Sequence, residues 1–258
     1  MNLRTEHHRA TGGRRPIVLL LTATIDPHGI AFLARRDPIV RLADYKHALK
    51  AWLSNPDTPP LVFAENSGYS TQDLEEVARK DNRFGQTIEF LSFDDNNYPR
   101  ALGKGFGELR IIRHAMDKSR LISDDTFVMK ANGRHYVRNV ADVLTCSDAA
   151  DDVDVFCDLR GTLTWADARV FCATAGFIRE FLLPMESAVD DTAGVTLEHV
   201  MGRAVHLAMS QGRRWSMFPR VPQIRGGSGT AGVAYPDSFA ARYKRELFRA
   251  VKAAVLAR

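Results

Sequence analysis

The strongest constraint on the fold is a fourfold alternation between short apolar runs and amphipathic stretches of helical length. The apolar runs occur at Ile17–Thr24, Leu61–Ala64, Thr87–Phe93 and Thr126–Lys130. Between them, Arg41–Leu53 places its apolar side chains on one helical stripe, and Gly103–Lys118 is a helix that opens with glycines. Continuous apolar runs separated by helices are typical of parallel strands joined by crossover helices. This half of the chain therefore predicts an α/β, Rossmann-like fold with a mostly parallel central sheet.

The second half of the chain is less regular and completes the same domain. Further strands are predicted at Val153–Cys157 and Ala168–Thr174, and helices at Gly176–Leu183 and Thr196–Gln211, the last with Thr196 as its N-cap. A chain of 258 residues suits one domain of this class. We expect a disordered N-terminal tail over 1–15, a single catalytic domain over 16–236 and a basic amphipathic C-terminal helix over 237–258.

Composition narrows the classes of partner and compartment. The net charge of +4 is compatible with anionic partners. The sequence has no nucleic-acid-binding motif, so a non-catalytic basic module that binds nucleic acid is a minor alternative. Three cysteines without paired spacing argue against a disulfide framework, and no apolar run approaches the length of a membrane helix. A cytoplasmic protein is expected.

The glycine-rich segment that opens the helix after the third strand is a candidate anion site. Gly103 and Gly105 would let the backbone approach a ligand, Lys104 adds a positive charge, and Glu108 follows in the same turn. The spacing is not that of a P-loop. The alternative is a flexible glycine turn before a helix.

Two further polar segments could bind phosphate. Lys130 and Arg134 flank Asn132-Gly133 at the end of the fourth strand, and together they form a cationic pair suited to a diphosphate. A simple hairpin turn at Asn132-Gly133 is the alternative. Late in the chain, Arg225–Thr230 could close over phosphate oxygens as a lid, or could be a mobile linker. The candidate ligands of this second segment are Arg225, Ser228 and Gly229.

Glu198 is the candidate catalytic residue. It lies in the first turn of the predicted helix Thr196–Gln211, where a general base could deprotonate a sugar hydroxyl. A carboxylate is favoured by the helix dipole at this position in any case, so a purely structural role is the alternative.

The C-terminal helix has an apolar stripe among basic side chains. The stripe consists of Phe239, Tyr243, Leu247, Val251 and Val255. It could pack on the domain or lie on an anionic membrane surface. We expect packing on the domain, with the basic face in solvent.

Four segments in this order resemble the GT-A-type glycosyltransferases, in particular a small group from bacterial surface-polysaccharide and lipopolysaccharide assembly. The segments are Glu65–Gly68 (ENSG), Gly103–Glu108 (GKGFGE), Lys130–Tyr136 (KANGRHY) and Gly226–Gly229 (GGSG). The resemblance covers Ile17 to Tyr235. It implies a GT-A-like fold and the transfer of a sugar from a nucleotide-sugar donor to a glycan or lipid-linked acceptor. Peripheral contact with the anionic inner face of a membrane is compatible with such an acceptor.

The resemblance also implies roles for individual residues. Thr22, Thr24, Glu65 and Asn66 would lie near the base and ribose of the donor. The leaving diphosphate would be neutralised by Lys104, Lys130, Arg134 and Arg225. Glu198 matches the position of the catalytic carboxylate, which implies direct displacement with inversion.

The sequence departs from the family at the Asp-x-Asp metal motif, whose place is taken by Asn132-Gly133-Arg134. We therefore expect weak or absent dependence on Mn²⁺ or Mg²⁺, with Asp94, Asp95 and Asp158 as the remaining candidate ligands. A nucleotidyltransferase that makes an activated sugar is the main alternative function. Such enzymes usually have a lysine-bearing glycine loop directly after the first strand, and Thr22–Pro27 contains no such loop.

Overall fold

The computed structural model describes residues 15–28, 35–146, 152–227 and 239–256. Numbered in chain order, its strands are β1 (Ile17–Ala23), β2 (Leu61–Glu65), β3 (Ile88–Ser92), β4 (Phe127–Asn132), β5 (Tyr136–Val137), β6 (Val155–Phe156), β7 (Leu159–Arg160), β8 (Trp165–Ala166), β9 (Val170–Thr174), β10 (Trp215–Ser216) and β11 (Ile224–Arg225). Seven of them form the central sheet in the order β10-β6-β9-β4-β1-β2-β3. Strand β9 is antiparallel to both of its neighbours, and the other pairs in the sheet are parallel.

Helices cover both faces of this sheet. They are α1 (Pro38–Leu53), α2 (Gln72–Asp81), α3 (Gly103–Lys118), α4 (Val140–Leu144), α5 (Ala175–Phe177), α6 (Leu197–Ser210) and α7 (Phe239–Leu256). Alternate residues of β1 enter different cores: Val18 and Leu20 pack in the cluster that includes α3 and α6, whereas Leu19 and Leu21 pack in the cluster that includes α1. Because both faces are covered, the inner strands are mostly apolar, with Glu65 and Lys130 as buried exceptions. The predicted α/β fold with a mostly parallel sheet and a C-terminal helix is confirmed.

The predicted helix Gly176–Leu183 is the main local difference. This stretch is a succession of the short α5, a π-helical turn at Ile178–Leu182 and a 3₁₀ turn at Leu183–Ala188. Pro184 explains the change, since proline has no N–H and its ring clashes with the carbonyl four residues earlier. A regular α-helix therefore cannot continue through it.

The expectation that the apolar stripe of the C-terminal helix packs on the domain is wrong. Tyr243, Leu247 and Val251 are 65%, 53% and 55% exposed, while the side chains of Phe239 and Val255 lie outside the described residues. The face of α7 toward the domain is polar, because Glu246 accepts a hydrogen bond from the Val221 N–H at 2.9 Å. On the same face, Lys252 contacts the carbonyl of Leu159.

Two smaller expectations can be compared with the structure. Cys146, Cys157 and Cys172 are free, buried thiols, so the absence of disulfides is confirmed. Among the described helices none is both long and apolar enough to span a bilayer. The domain boundary near 236 stays a prediction, because it falls within the undescribed stretch 228–238.

Candidate functional site

The carboxyl ends of β1, β2 and β3 lie at one edge of the sheet, where the Glu65 side chain joins the loops after β1 and β2. This side chain is fully buried and accepts hydrogen bonds from the backbone N–H groups of Ile25 (2.9 Å), Ser67 (2.9 Å) and Tyr69 (3.1 Å). Burial raises the pKa of Glu65, and these hydrogen bonds oppose the rise. Glu65 therefore holds these loops in place from beneath the surface of the site and is itself not exposed.

Asn66 is a buried residue whose side chain is only partly satisfied. The Thr24 hydroxyl donates to the Asn66 Oδ1 at 2.7 Å, and Asn66 Nδ2 has no partner among the described residues. Turning the amide over would only exchange which of its two polar atoms lacks a partner. Thr24 itself is held in place, because its carbonyl accepts from Arg41 Nε at 2.7 Å and from the Tyr45 hydroxyl at 3.1 Å.

Asn96, in the loop after β3, is likewise buried with one side-chain atom unsatisfied, and it was not among the site residues predicted from the sequence. It is 1% exposed, and its Nδ2 donates to the Asp26 carbonyl at 3.0 Å while its Oδ1 has no partner in the described chain. The two amides belong to joined loops, since the Asp95 N–H donates to the Asn66 carbonyl at 3.0 Å. The only signal in the sequence was the position of Asp94–Asn97 after a predicted strand. A buried polar atom without a partner costs about 1–3 kcal/mol, and a bound polar group would remove that cost.

Lys130 and Glu108 form a buried ion pair beneath the same edge. The Lys130 ammonium also donates to Asn132 Oδ1 at 2.8 Å and to the Ala168 carbonyl at 2.7 Å, and the side chain is fully buried. Glu108 in turn accepts from the Thr22 hydroxyl at 2.8 Å. The structure thus brings the GKGFGE and KANGRHY segments together, with the Lys130 charge directed at protein groups and not at solvent.

The Arg134 and Arg225 segments are neighbours. Strands β5 and β11 pair antiparallel, and the His135 Nε2 lies 3.1 Å from the Gly227 carbonyl oxygen. Gly226 has φ +115°, and a Cβ there would lie 2.3 Å from the Arg134 carbonyl oxygen, so only glycine fits. Arg134 Nη1 is buried without a hydrogen-bond partner among the described residues. Ser228 and Gly229, the rest of this predicted site, lie outside the described residues.

The start of α3 contacts a protein carboxylate. Gly103 has φ +78°, and a Cβ at this position would lie 2.0 Å from Asp191 Oδ2. The same oxygen accepts the Lys104 N–H at 3.2 Å, and Lys104 is exposed. A carboxylate is thus the group at the helix start, where the sequence predicted a bound phosphate.

The other glycines of this segment allow close packing. A Cβ on Gly105 would lie 2.9 Å from the Cβ of Leu197, the first residue of α6. A Cβ on Gly107 would lie 2.2 Å from the Tyr98 hydroxyl oxygen. The glycines therefore bring α6 and the loop before α3 against the helix, and this packing places Glu198 beside the α3 start.

Two carboxylates, Asp191 and Glu198, stand close enough to affect each other. Burial raises the pKa of Asp191, the Lys104 charge opposes the rise, and the Glu198 charge adds to it. Asp191 Oδ1 is buried without a partner among the described residues, and Glu198 is half-buried. Burial, with Asp191 and Glu108 contributing, raises the pKa of Tyr98 to about 12. Asp191 was missed in the sequence, where its only signal was an acidic pair just before a capped helix.

The three carboxylates considered for a metal do not fit a divalent cation site. Both oxygens of Asp95 accept from Arg110, at 2.6 and 2.7 Å, and Asp158 accepts from Arg160 at 2.7 Å. Asp94 is exposed in the loop after β3, far along the chain from Asp158. The described part of the chain has no group of three or more His, Cys, Asp or Glu side chains arranged for a metal.

Comparison with known proteins gives similarity of fold at low identity. No protein-family model and no curated protein matches the sequence. Similar solved structures include the glycosyltransferase GlyE of Streptococcus pneumoniae TIGR4, 9% identical with a TM-score of 0.49 over 80% of this chain and 45% of GlyE. The galactosyltransferase LgtC is 13% identical, with a TM-score of 0.45 over 77% of this chain and 73% of LgtC. The inositol-1-phosphate CTP transferase of T. maritima is 13% identical, with a TM-score of 0.47 over 90% of this chain and 95% of that protein.

These likenesses describe the fold and leave the reaction open. This chain spans less than half of GlyE, and both glycosyltransferases and a nucleotidyltransferase are among the similar structures. The α/β architecture rests on the strand order and directions of the sheet itself. Glycosyltransferases, which the motifs resemble, are thus among the similar solved structures, together with a nucleotidyltransferase.

Proposed function

We propose that this protein transfers a sugar from a nucleotide-sugar donor to a glycan or lipid-linked acceptor. The observation that supports it most is the buried, half-satisfied amide of Asn66 at the carboxyl edge of the sheet. Ligands of open α/β sheets bind at this edge. Asn96, in the joined loop after β3, adds a buried unsatisfied acceptor to the buried unsatisfied donor of Asn66, and we assign the nucleobase of the donor to these two loops.

The diphosphate of the donor would lie toward Arg134 and Arg225, which the β5–β11 pair places together. A guanidinium is suited to phosphate because its planar N–H groups bind two oxygens at once. We assign Lys130 an indirect role, because its ammonium holds Asn132 and the Ala168 carbonyl. Lys104, exposed at the start of α3, is a further cation near the two carboxylates.

Glu198 is the proposed general base. An acceptor hydroxyl oxygen attacks the anomeric carbon, Glu198 takes the hydroxyl proton, and the bond from that carbon to the diphosphate oxygen breaks. The products are the glycoside with inverted configuration and the nucleoside diphosphate. Asp191 is a positioning residue, since it fixes the start of α3 through the Lys104 N–H. In this proposal the charge of the leaving diphosphate is neutralised by Arg134 and Arg225.

A ligand screen tests this proposal against nucleotidyl transfer. We expect the thermal unfolding midpoint to rise with a nucleotide sugar and its nucleoside diphosphate, because a ligand at 100 times its dissociation constant stabilises the fold by about 2.7 kcal/mol. The Asn66→Ala variant should show a much smaller rise. Asn82→Ala, which removes an asparagine from the far end of α2, is the matched control and should respond as the parent protein does.

Two outcomes of the screen would count against the proposal. A rise with nucleoside triphosphates alone would favour the nucleotidyltransferase alternative. No rise with any nucleotide would remove the basis for both enzyme functions.

A further inference from the structure

A cavity near the candidate donor site has no role in the binding of the nucleotide-sugar donor. It has a volume of about 570 Å³ and lies between α7 and the loops that follow β6 and β10. One wall is apolar and consists of Val170, Met217, Phe218, Val221, Pro222 and Ile224. The volume falls within the range of sites that bind small molecules, which is about 300–1,000 Å³.

The cavity adjoins the carboxyl edge of β4. Val170 pairs with Ala131 in the sheet, and the Asn132 N–H donates to the Arg169 carbonyl at 3.2 Å. Ile224, in the apolar wall, precedes Arg225 in β11. The cavity is therefore lined by residues that neighbour Asn132 and Arg225 of the proposed donor site.

The rim of the cavity has more positive than negative side chains. Its cations are Arg160, Arg169, Arg249 and Lys252, and its carboxylates are Asp158 and Asp167. Asp158 pairs with Arg160 and Lys252, Asp167 pairs with Arg160 and Arg169, and Glu246 pairs with Arg249. Every rim cation thus has a carboxylate partner, and the four cations exceed the three carboxylates by one charge. An anionic group bound at the rim would neutralise this excess positive charge.

Phe248 of α7 extends the apolar surface outward from the cavity. It lines the cavity yet is 65% exposed, and it lies next to the exposed Leu247 and one turn before Val251 on the same helix. Apolar side chains from the outer surface of α7 thus lead to an apolar interior. This arrangement suits a chain-like apolar group, and it offers few partners for the hydroxyls of a free sugar.

We propose that this cavity binds the lipid part of the acceptor, an isoprenoid or alkyl chain that ends in phosphate. The chain lies along the apolar wall, and the phosphate lies at the rim beside Arg160 and Lys252. This inference names the acceptor class of the proposed glycosyl transfer and therefore rests on it, although binding to the cavity can be measured without turnover. The saccharide attached to the phosphate would extend toward Asn132.

Direct binding of monomeric farnesyl phosphate to the full chain tests the proposal, with farnesol and inorganic phosphate as partial ligands. We expect farnesyl phosphate to bind at least about tenfold more tightly than either, since each partial ligand lacks one of the two interactions. Arg160→Gln should weaken farnesyl phosphate binding about tenfold and leave farnesol binding unchanged. Phe248→Ser should weaken the binding of both.

The controls are matched by residue type and exposure. Arg113, 45% exposed and paired with Glu186, matches Arg160, which is 46% exposed and paired with Asp158. Phe84, 54% exposed in the loop after α2, matches Phe248. Arg113→Gln and Phe84→Ser should leave farnesyl phosphate binding within about twofold of the parent protein.

The outcomes separate this proposal from the proposed function. Equal affinity for inorganic phosphate would show an anion site only, and loss of binding in the controls would show adsorption elsewhere; either overturns the cavity proposal. Binding to anionic vesicles but not to the monomeric ligand would also overturn it, and would point to α7 as a membrane-surface helix. If nucleotide sugars raise the unfolding midpoint but farnesyl phosphate does not bind, the acceptor class is wrong and the donor site stands. If only farnesyl phosphate binds, the cavity stands and glycosyl transfer does not.

Discussion

Replacing Lys130 with methionine is expected to lower the free energy of unfolding by about 3–5 kcal/mol, because the change leaves Glu108 without its buried cationic partner. Lys130 is fully buried and also holds Asn132 and the Ala168 carbonyl, so three partners lose their donor at once. Denaturant unfolding monitored by circular dichroism measures the effect directly.

Two further variants show whether the loss comes from the unpaired charge. The double variant Lys130→Met/Glu108→Gln should recover much of the stability, because removing both charges also removes the cost of burying one of them alone. Lys50→Met is the matched surface control: Lys50 pairs with Asp81 but is 60% exposed, and its loss should cost less than about 1 kcal/mol. If Lys130→Met costs no more than Lys50→Met, the ion pair does not hold the two motif segments together.

Glu198→Gln is expected to retain donor binding and to lose turnover by at least about 100-fold, the scale associated with a general base. Glutamine keeps the size of the side chain and its place in the first turn of α6 but cannot take a proton from an acceptor hydroxyl. Release of nucleoside diphosphate in the presence of acceptor gives the turnover, and the unfolding midpoint with donor gives the binding.

A control variant at another carboxylate in the first turn of a helix distinguishes the loss of a general base from the loss of an interaction with the helix dipole. Asp73 lies in the first turn of α2 and is 51% exposed, so Asp73→Asn removes a comparable interaction with a helix start. It should leave turnover unchanged. Normal turnover in Glu198→Gln together with loss of turnover in Asp191→Asn would transfer the role of base to Asp191.

The central elements of the fold could be predicted from local sequence, because apolar periodicity and helix boundaries are local properties. The predicted helix Gly103–Lys118 has the bounds observed for α3, and the first four predicted strands correspond to β1 to β4. The antiparallel direction of β9 was not predicted, since a short apolar run is the same in either direction.

The candidate site was predicted as segments, and their contacts could not be derived from the sequence. Glu108 meets Lys130 because α3 packs on β1, which pairs with β4. The segments of Arg134 and Arg225 are joined by paired strands of two residues each. The three glycines of 103–107 are required because any larger side chain would overlap Asp191, Leu197 or Tyr98. A glycine-rich segment alone does not show whether its glycines serve such packing or ligand binding. For α7 the apolar stripe favoured the wrong face, because the helix is oriented by a hydrogen bond that Glu246 accepts and one that Lys252 donates.

Hydrogen exchange with and without a nucleotide sugar tests most directly whether the carboxyl edge of the sheet is the donor site. We expect slower exchange of backbone amides in the loops after β1, β2 and β3 and in the paired segments around Arg134 and Arg225, with no change at the far end of α2 near Asn82. Protection confined to other parts of the chain, or none at concentrations that raise the unfolding midpoint, would contradict the assignment of the donor site.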